Sequence, residues 1–211
     1  MSADFASFLL RARSIADVSA ALLSAVEAVD RRRFVTREDR GRAFSNDMLP
    51  LPCGQTTDRI DDAIRLLSAA GIEPHHRVLE IGTGSGFLTA VLATLADTVT
   101  SVERYCTLIN TARTRCGAIG RNNIAFEQID GTQPRTIEGT FDRIISSVAF
   151  TDDAKSFLER LSPDGVIVFP QSGLEPQQRI LHCTKVGLRF ERREIGTGWF
   201  PPAERGVALA L

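Results

Sequence analysis

The residues best placed to do chemistry form a run at Val78-Leu79-Glu80-Ile81-Gly82-Thr83-Gly84-Ser85-Gly86. Glycines at a strand-to-helix turn permit positive φ and let the backbone come close to a ligand. The spacing is Gly-x-Gly-x-Gly. A dinucleotide fingerprint asks for its third glycine at the position that Phe87 occupies. With Glu80 two residues ahead of the first glycine, the pattern suits S-adenosylmethionine better than a nicotinamide cofactor. Glu103, followed by Arg104, lies 21 residues after Gly82, where a carboxylate can accept both ribose hydroxyl hydrogens. Asp130-Gly131 is expected at the ligand-binding edge of the same sheet, with Asp130 available to an adenine amino group. An ordinary Asp-Gly turn explains that pair almost as well.

Positioning these groups needs alternating strands and helices. Arg77–Ile81, Thr98–Glu103, Ile124–Gln128, Phe141–Ser146 and Val166–Phe169 read as strands. Helices are expected over 87–96, 105–118 and 152–161, which implies right-handed βαβ units and a mostly parallel sheet. Residues 179–185 and 188–195, split by Val186-Gly187, read as an antiparallel hairpin, and 206–211 as a possible last strand. Upstream, 3–29 reads as two helices, the second capped by Asp17, and 59–70 as a third. Between them, 31–58 is rich in Pro and polar residues and reads as one long loop, with Arg31-Arg32-Arg33 as a solvated helix end.

The chain has 211 residues, with 25 Lys and Arg against 26 Asp and Glu. That balance argues against a partner recognised through its phosphates, whether nucleic acid or anionic lipid. None of the four cysteines forms a Cys-x-x-Cys pair, and no apolar run approaches the ~20 residues of a membrane span. A cytoplasmic protein is the expectation. One domain is expected, with 1–72 as helices and covering loop and 73–211 as cofactor-binding sheet and hairpin. No metal site is expected; adjacent His75 and His76 should point apart. Asp142 should anchor locally, and Trp199-Phe200-Pro201-Pro202 should pack, with a smaller chance of lining an acceptor pocket. Oligomeric state is not readable.

Several separated segments together resemble the protein-L-isoaspartate O-methyltransferase family. They are Val29-Asp30-Arg31-Arg32-Arg33-Phe34-Val35, Leu49-Pro50-Leu51-Pro52-Cys53-Gly54-Gln55-Thr56, the glycine run, Asp130-Gly131 and Phe141-Asp142-Arg143-Ile144-Ile145. The glycine run is shared widely among methyltransferases; the Leu-Pro-x-x-x-Gly-Gln-Thr segment is far more specific. The resemblance implies a Rossmann-like seven-stranded α/β fold with added N-terminal helices. It implies methyl transfer from S-adenosylmethionine to the α-carboxylate of L-isoaspartyl residues, a protein-repair step. It also implies cofactor contacts from Glu80, Gly82, Gly84, Gly86, Glu103, Asp130 and Gly131, with Thr83, Ser85 and Arg104 beside them. Gln55 and Thr56 would lie in the loop that covers the active site.

One stretch departs from that pattern. After Gly-Gln-Thr the family usually continues Ile-Ser-Gln-Pro, and its serine helps to hold the substrate carboxylate. Here the chain reads Thr57-Asp58-Arg59-Ile60. Two unit charges ~4 Å apart repel by about 4 kcal/mol at an effective dielectric of 20. Either Asp58 turns away, or Arg59 neutralises it, or the acceptor is not an isoaspartyl carboxylate. Three readings follow: an isoaspartyl methyltransferase acting on proteins or peptides, a methyltransferase for another acceptor such as a small molecule, with Asp58 as general base, or a non-catalytic S-adenosylmethionine-binding protein.

Overall fold

The computed structural model describes residues 3–15 and 17–208. Seven strands form one sheet: β1 (Arg77–Ile81), β2 (Thr98–Glu103), β3 (Ile124–Gln128), β4 (Phe141–Ser146), β5 (Leu161–Gln171), β6 (Gln178–Val186) and β7 (Arg189–Gly198). Their order is β3-β2-β1-β4-β5-β6-β7, parallel through β5 and antiparallel for β6 and β7. Strand order reverses between β1 and β4. In open α/β sheets a ligand crevice forms beyond the carboxyl ends of the strands at that point.

The strands' period of two sorts their side chains into two cores. Val78, Val99, Ile145, Val168 and Ile180 face one side with the helices α1 (Ala3–Ser14), α2 (Ala20–Ala28), α3 (Ile60–Ala70) and α4 (Phe87–Leu95). Leu79, Ile81, Val102, Ile144, Ile167, Phe169 and Leu181 face the other, covered by shorter segments carrying Ile137, Phe150 and Phe157. A fifth helix, α5 (Cys106–Gly117), links β2 to β3 and buries Leu108, Ile109, Ala112 and Cys116. Burying a Leu, Ile or Phe side chain contributes ~1.5–3 kcal/mol, so each face of the sheet supplies a sizeable share of the stability.

Several local expectations change. The second helix is capped by Ser19, whose Oγ accepts the amide hydrogen of Leu22, while Asp17 adopts φ 60°. The segment expected as a helix over 152–161 forms only a 3-10 turn at Lys155–Arg160. Ala154 before it has φ 52°, and Leu161 after it already pairs with Phe141, leaving too few residues for an α-helix. Residues 206–208 are irregular rather than a strand, and 209–211 lie outside the described residues. Asp142 anchors as expected, accepting from the backbone of Arg77 at 2.8 Å and from Ser162 Oγ at 2.8 Å. Among the described residues no helix is long and apolar enough to cross a membrane.

The long segment 31–58 is not formless. Leu49–Thr57 doubles back on itself: Thr57 N donates to Leu49 O at 2.8 Å, Leu51 N to Gln55 O at 2.8 Å, and the Thr57 hydroxyl accepts from Leu49 N at 3.0 Å. A 3-10 turn at Pro52–Gly54 closes it, with Cys53 at φ 63°. Arg31 is no solvated helix end. It is 2% exposed and donates to Ala43 O (2.7 Å), Thr57 Oγ1 (3.0 Å) and Asp58 O (2.8 Å), with its guanidinium over the Phe87 ring. One buried cation thus ties the loop to the helical layer.

Candidate active site

A cleft with about 830 Å³ of open space lies beyond the carboxyl ends of β1, β2 and β4. On one side runs Gly82-Thr83-Gly84-Ser85, on the other the loop residues Gln55, Thr56, Thr57 and Asp58. Gly82 and Gly84 have φ 93° and 51°, the left-handed region that glycine tolerates. A Cβ on Gly82 would sit 2.7 Å from Ser147 Oγ, so the loop has no room for a side chain there.

Glu103 ends β2 at the rim. Its Oε1 accepts the amides of Arg104 (2.7 Å) and Tyr105 (3.1 Å), and Oε2 that of Gly84 (3.2 Å). Burial raises its pKa, against the pull of those three amides. A carboxylate offers about four acceptor sites, so Glu103 retains one for a ligand hydroxyl rather than the expected pair. Thr83, Arg104 and Gly131 also line the cleft.

Three expected contact residues do not face this space. Glu80 is wholly buried beneath the loop; Thr89 Oγ1 and Ser101 Oγ each donate to its Oε2 at 2.5 Å, while Oε1 has no partner. Burial pushes its carboxyl up to about 8. Ser101 Oγ also meets Thr83 Oγ1 at 2.6 Å, so Glu80 steadies the glycine loop from behind. Gly86, at φ 85°, faces α5, where a Cβ would lie 2.8 Å from Ala112 Cβ. Asp130 is engaged elsewhere: Oδ1 accepts from Thr132 N and Oγ1 at 2.9 and 2.6 Å, and Oδ2 from Gly206 N at 2.8 Å.

Of the alternatives for Asp58, neutralisation by Arg59 does not hold. Arg59 lies over the Trp199 ring, 5.6 Å from its centroid. Asp58 is half-buried and opens on the cleft, and its carboxylate accepts no hydrogen bond among the described residues. Burial pushes it up to about 7, opposed by Arg31 and reinforced by Asp62.

Sequence reasoning missed Tyr105, the pair Ser147-Val148 and most of the wall formed by Pro201-Pro202-Ala203-Glu204. Ser147-Val148 directly follow β4, and a position at a strand's carboxyl end was the available signal. The segment 201–208 carries none: it reaches the cleft because Ala203 N donates to Ala149 O, Arg104 pairs with Glu204, and Asp130 holds Gly206. His75 and His76 do not point apart; their rings lie 4.5 Å from centroid to centroid, beside Glu73 in a turn before β1. His76 Nδ1 already accepts the Glu73 amide hydrogen.

Comparison with known proteins agrees with this geometry. A Bradyrhizobium protein-L-isoaspartate O-methyltransferase is 39% identical over 203 residues, covering 96% of this chain and 94% of its own. One from Rhizobium meliloti is 36% identical, covering 96% and 99%. A solved Plasmodium falciparum structure, described as a protein-L-isoaspartate O-methyltransferase in complex with S-adenosyl-L-homocysteine, superposes with a TM-score of 0.82 at 18% identity, over 95% of this chain and 98% of that one. The model of the protein-L-isoaspartate(D-aspartate) O-methyltransferase family matches residues 9–203, and the chain belongs to that family.

Proposed function

We infer that the chain is an S-adenosylmethionine-dependent methyltransferase that esterifies the α-carboxylate of L-isoaspartyl residues in proteins or peptides. The observation that carries this is the meeting, in one cleft, of a glycine loop with Glu103 and a covering loop with Gln55, Thr56 and Asp58. When bound, the cofactor supplies an electrophilic methyl group on a sulfonium. The residues that would hold it are Gly82, Thr83, Gly84, Ser85, Glu103, Arg104 and Gly131, with Glu80 and Gly86 acting through the loop's shape. The close approach allowed at Gly82 and the acceptor site left on Glu103 suit a nucleoside with an amino-acid tail.

A carboxylate acceptor is already a nucleophile, so no general base is required. The protein's contribution is orientation and exclusion of water. Gln55 is fixed in place over the cleft. Its Nε2 reaches Cys53 O and the Tyr105 hydroxyl, both at 3.4 Å, bridging the covering loop to the start of α5. Leu51 packs 3.7 Å from where a Gly84 Cβ would be, closing the loop onto the glycines. We place the activity in the cytoplasm, a reading supported by four free cysteines.

The test is transfer of a labelled methyl group to an isoaspartyl peptide beside its normal aspartyl counterpart. Base-labile methyl ester on the isoaspartyl peptide alone is the expected result. No transfer by protein that still binds S-adenosylhomocysteine would sink the repair reading.

A further inference from the structure

Among the described residues, no cation of the covering loop lines the cleft. Arg31 is buried and donates three hydrogens, to Ala43 O, Thr57 Oγ1 and Asp58 O, and Arg59 lies against Trp199. Arg104, the one cation among the lining residues, belongs to the opposite wall and pairs with Glu204. The neutral donors are also mostly committed. Ser147 Oγ donates to Gly82 O at 2.9 Å and Gln55 bridges to Tyr105, while the buried Thr57 hydroxyl accepts from Arg31 and from Leu49 N. Two side chains on this side remain without a hydrogen-bond partner among the described residues, Thr56 and Asp58. No unpartnered Asp58 oxygen is sealed from the cleft.

We propose that Asp58 receives the acceptor's carboxylate, donating its own carboxyl hydrogen to one carboxylate oxygen while the other oxygen takes the methyl group. The proposal rests on the isoaspartyl reading above and assigns Asp58 as a specificity-determining residue for it. The balance of the step is simple. The acceptor's free oxygen forms the O–CH3 bond, the S–CH3 bond breaks, and carboxylate and sulfonium charges disappear together. The Asp58 proton stays in place and hydrogen-bonds the ester carbonyl afterwards. No proton leaves the acceptor, so a base at this position has nothing to remove.

The groups facing Asp58 favour this form. Arg31 favours the anion, while burial and Asp62 on the first turn of α3 disfavour it; Asp58 in turn raises Glu80 beneath the glycine loop, and Asp61, at the same helix end, acts on Arg31. With burial added, Asp58 loses its proton only near pH 7, about where Glu80 follows at about 8. Because the hydrogen bond is strongest to the fully charged carboxylate and weakens as that charge is lost, Asp58 favours the bound ground state, so its loss raises KM and does not lower kcat.

The experiment compares the wild type with Asp58→Asn and Asp58→Ala on a capped isoaspartyl peptide that has no group titrating between pH 6 and 9. Cofactor-product binding serves as the control for folding. In the wild type, KM should rise roughly tenfold per pH unit above 7, the slope of one titrating donor. Asp58→Asn keeps a donor that cannot titrate. Its KM should stay within about threefold of the wild type at pH 6 and be nearly flat to pH 9, any remaining wave belonging to Glu80. Asp58→Ala should raise KM at pH 6 by about tenfold or more with kcat little changed, the size of a lost hydrogen bond to a charged group. Calorimetry of peptide binding to the product complex at pH 8 should show proton uptake in the wild type and less in Asp58→Asn.

If Asp58→Asn abolishes turnover, Asp58 is a base and the proposal is overturned. It is equally overturned if the wild-type KM is flat with pH, or if proton uptake is unchanged in Asp58→Asn. No transfer to the isoaspartyl peptide by any of the three proteins overturns the functional reading itself. Transfer that is equal in all three overturns only the role of Asp58.

Discussion

Glu80 shows how a residue can shape the site without lining its cleft. It is an acid with two hydroxyl donors on one oxygen and none on the other, and burial pushes its carboxyl up to about 8. An acid whose folded pKa lies above its unfolded value binds more protons when folded, so stability falls as pH rises from about 4.5 to about 8. Glu80→Gln preserves the shape and an acceptor for both hydroxyls but cannot ionise. It should flatten the fall in stability between pH 5 and 9 by on the order of 3 kcal/mol, read by denaturant unfolding at each pH. Equal pH slopes in the two proteins would rule out a buried, titrating Glu80. Gly86 tests the loop from its other side. Alanine there needs φ 85° and a Cβ 2.8 Å from Ala112 Cβ, so Gly86→Ala should cost about 2–4 kcal/mol in chemical unfolding. A loss below about 1 kcal/mol would mean that α5 can shift to admit it.

Among the elements, the covering loop depends most on one contact. Arg31 closes it by bonding carbonyls twelve and twenty-seven positions away. Arg31→Met leaves Ala43 O and Asp58 O short of a donor, and should lower stability by about 3 kcal/mol. It should also raise the peptide's KM more than it weakens S-adenosylhomocysteine, because the loop meets the glycine side mainly through Leu51. A larger loss of cofactor than of peptide would show that the loop serves the cofactor first. The strands themselves were readable to within a residue or two for β1 to β4, since period-two alternation between two apolar cores leaves a strong trace. The turn at Lys155–Arg160 was not, because its helix-like spacing yields to the pairing of Leu161 with Phe141. Asp17 was passed over as a cap for a similar reason: Ser19 lies where the helix starts, and helix entry depends on how α1 and α2 pack.

On the scale of the whole molecule, a C-terminal segment far in sequence from the glycine loop completes the cleft. The segment after β7 passes Ala149 and settles against Arg104 and Asp130. Deleting residues 204–211 removes Glu204 from the wall and frees Asp130 and Arg104. It should weaken S-adenosylhomocysteine binding about fivefold or more by calorimetric titration, with little change in helix content. Unchanged affinity would mean that the tail only rests on the rim.

The sequence by itself determined the glycine turn, the acid at the end of β2, the order of strands and helices, and the family to which these belong. Those are local facts: positive φ, period and spacing are properties of a few adjacent residues. It did not determine which of those residues line the cleft. Glu80, Gly86 and Asp130 carry the right chemistry in the right motifs, yet one lies beneath the loop, one against α5 and one under the tail. Nor did it determine the state of Asp58, which could equally have turned away, been neutralised by Arg59, or faced another acceptor. Tertiary packing decides that: burial at the edge of the cleft, with Asp62 near and Arg59 turned to Trp199, raises the Asp58 carboxyl to about 7. Burial and the field of distant charges set ionisation, and both exist only once the chain has folded.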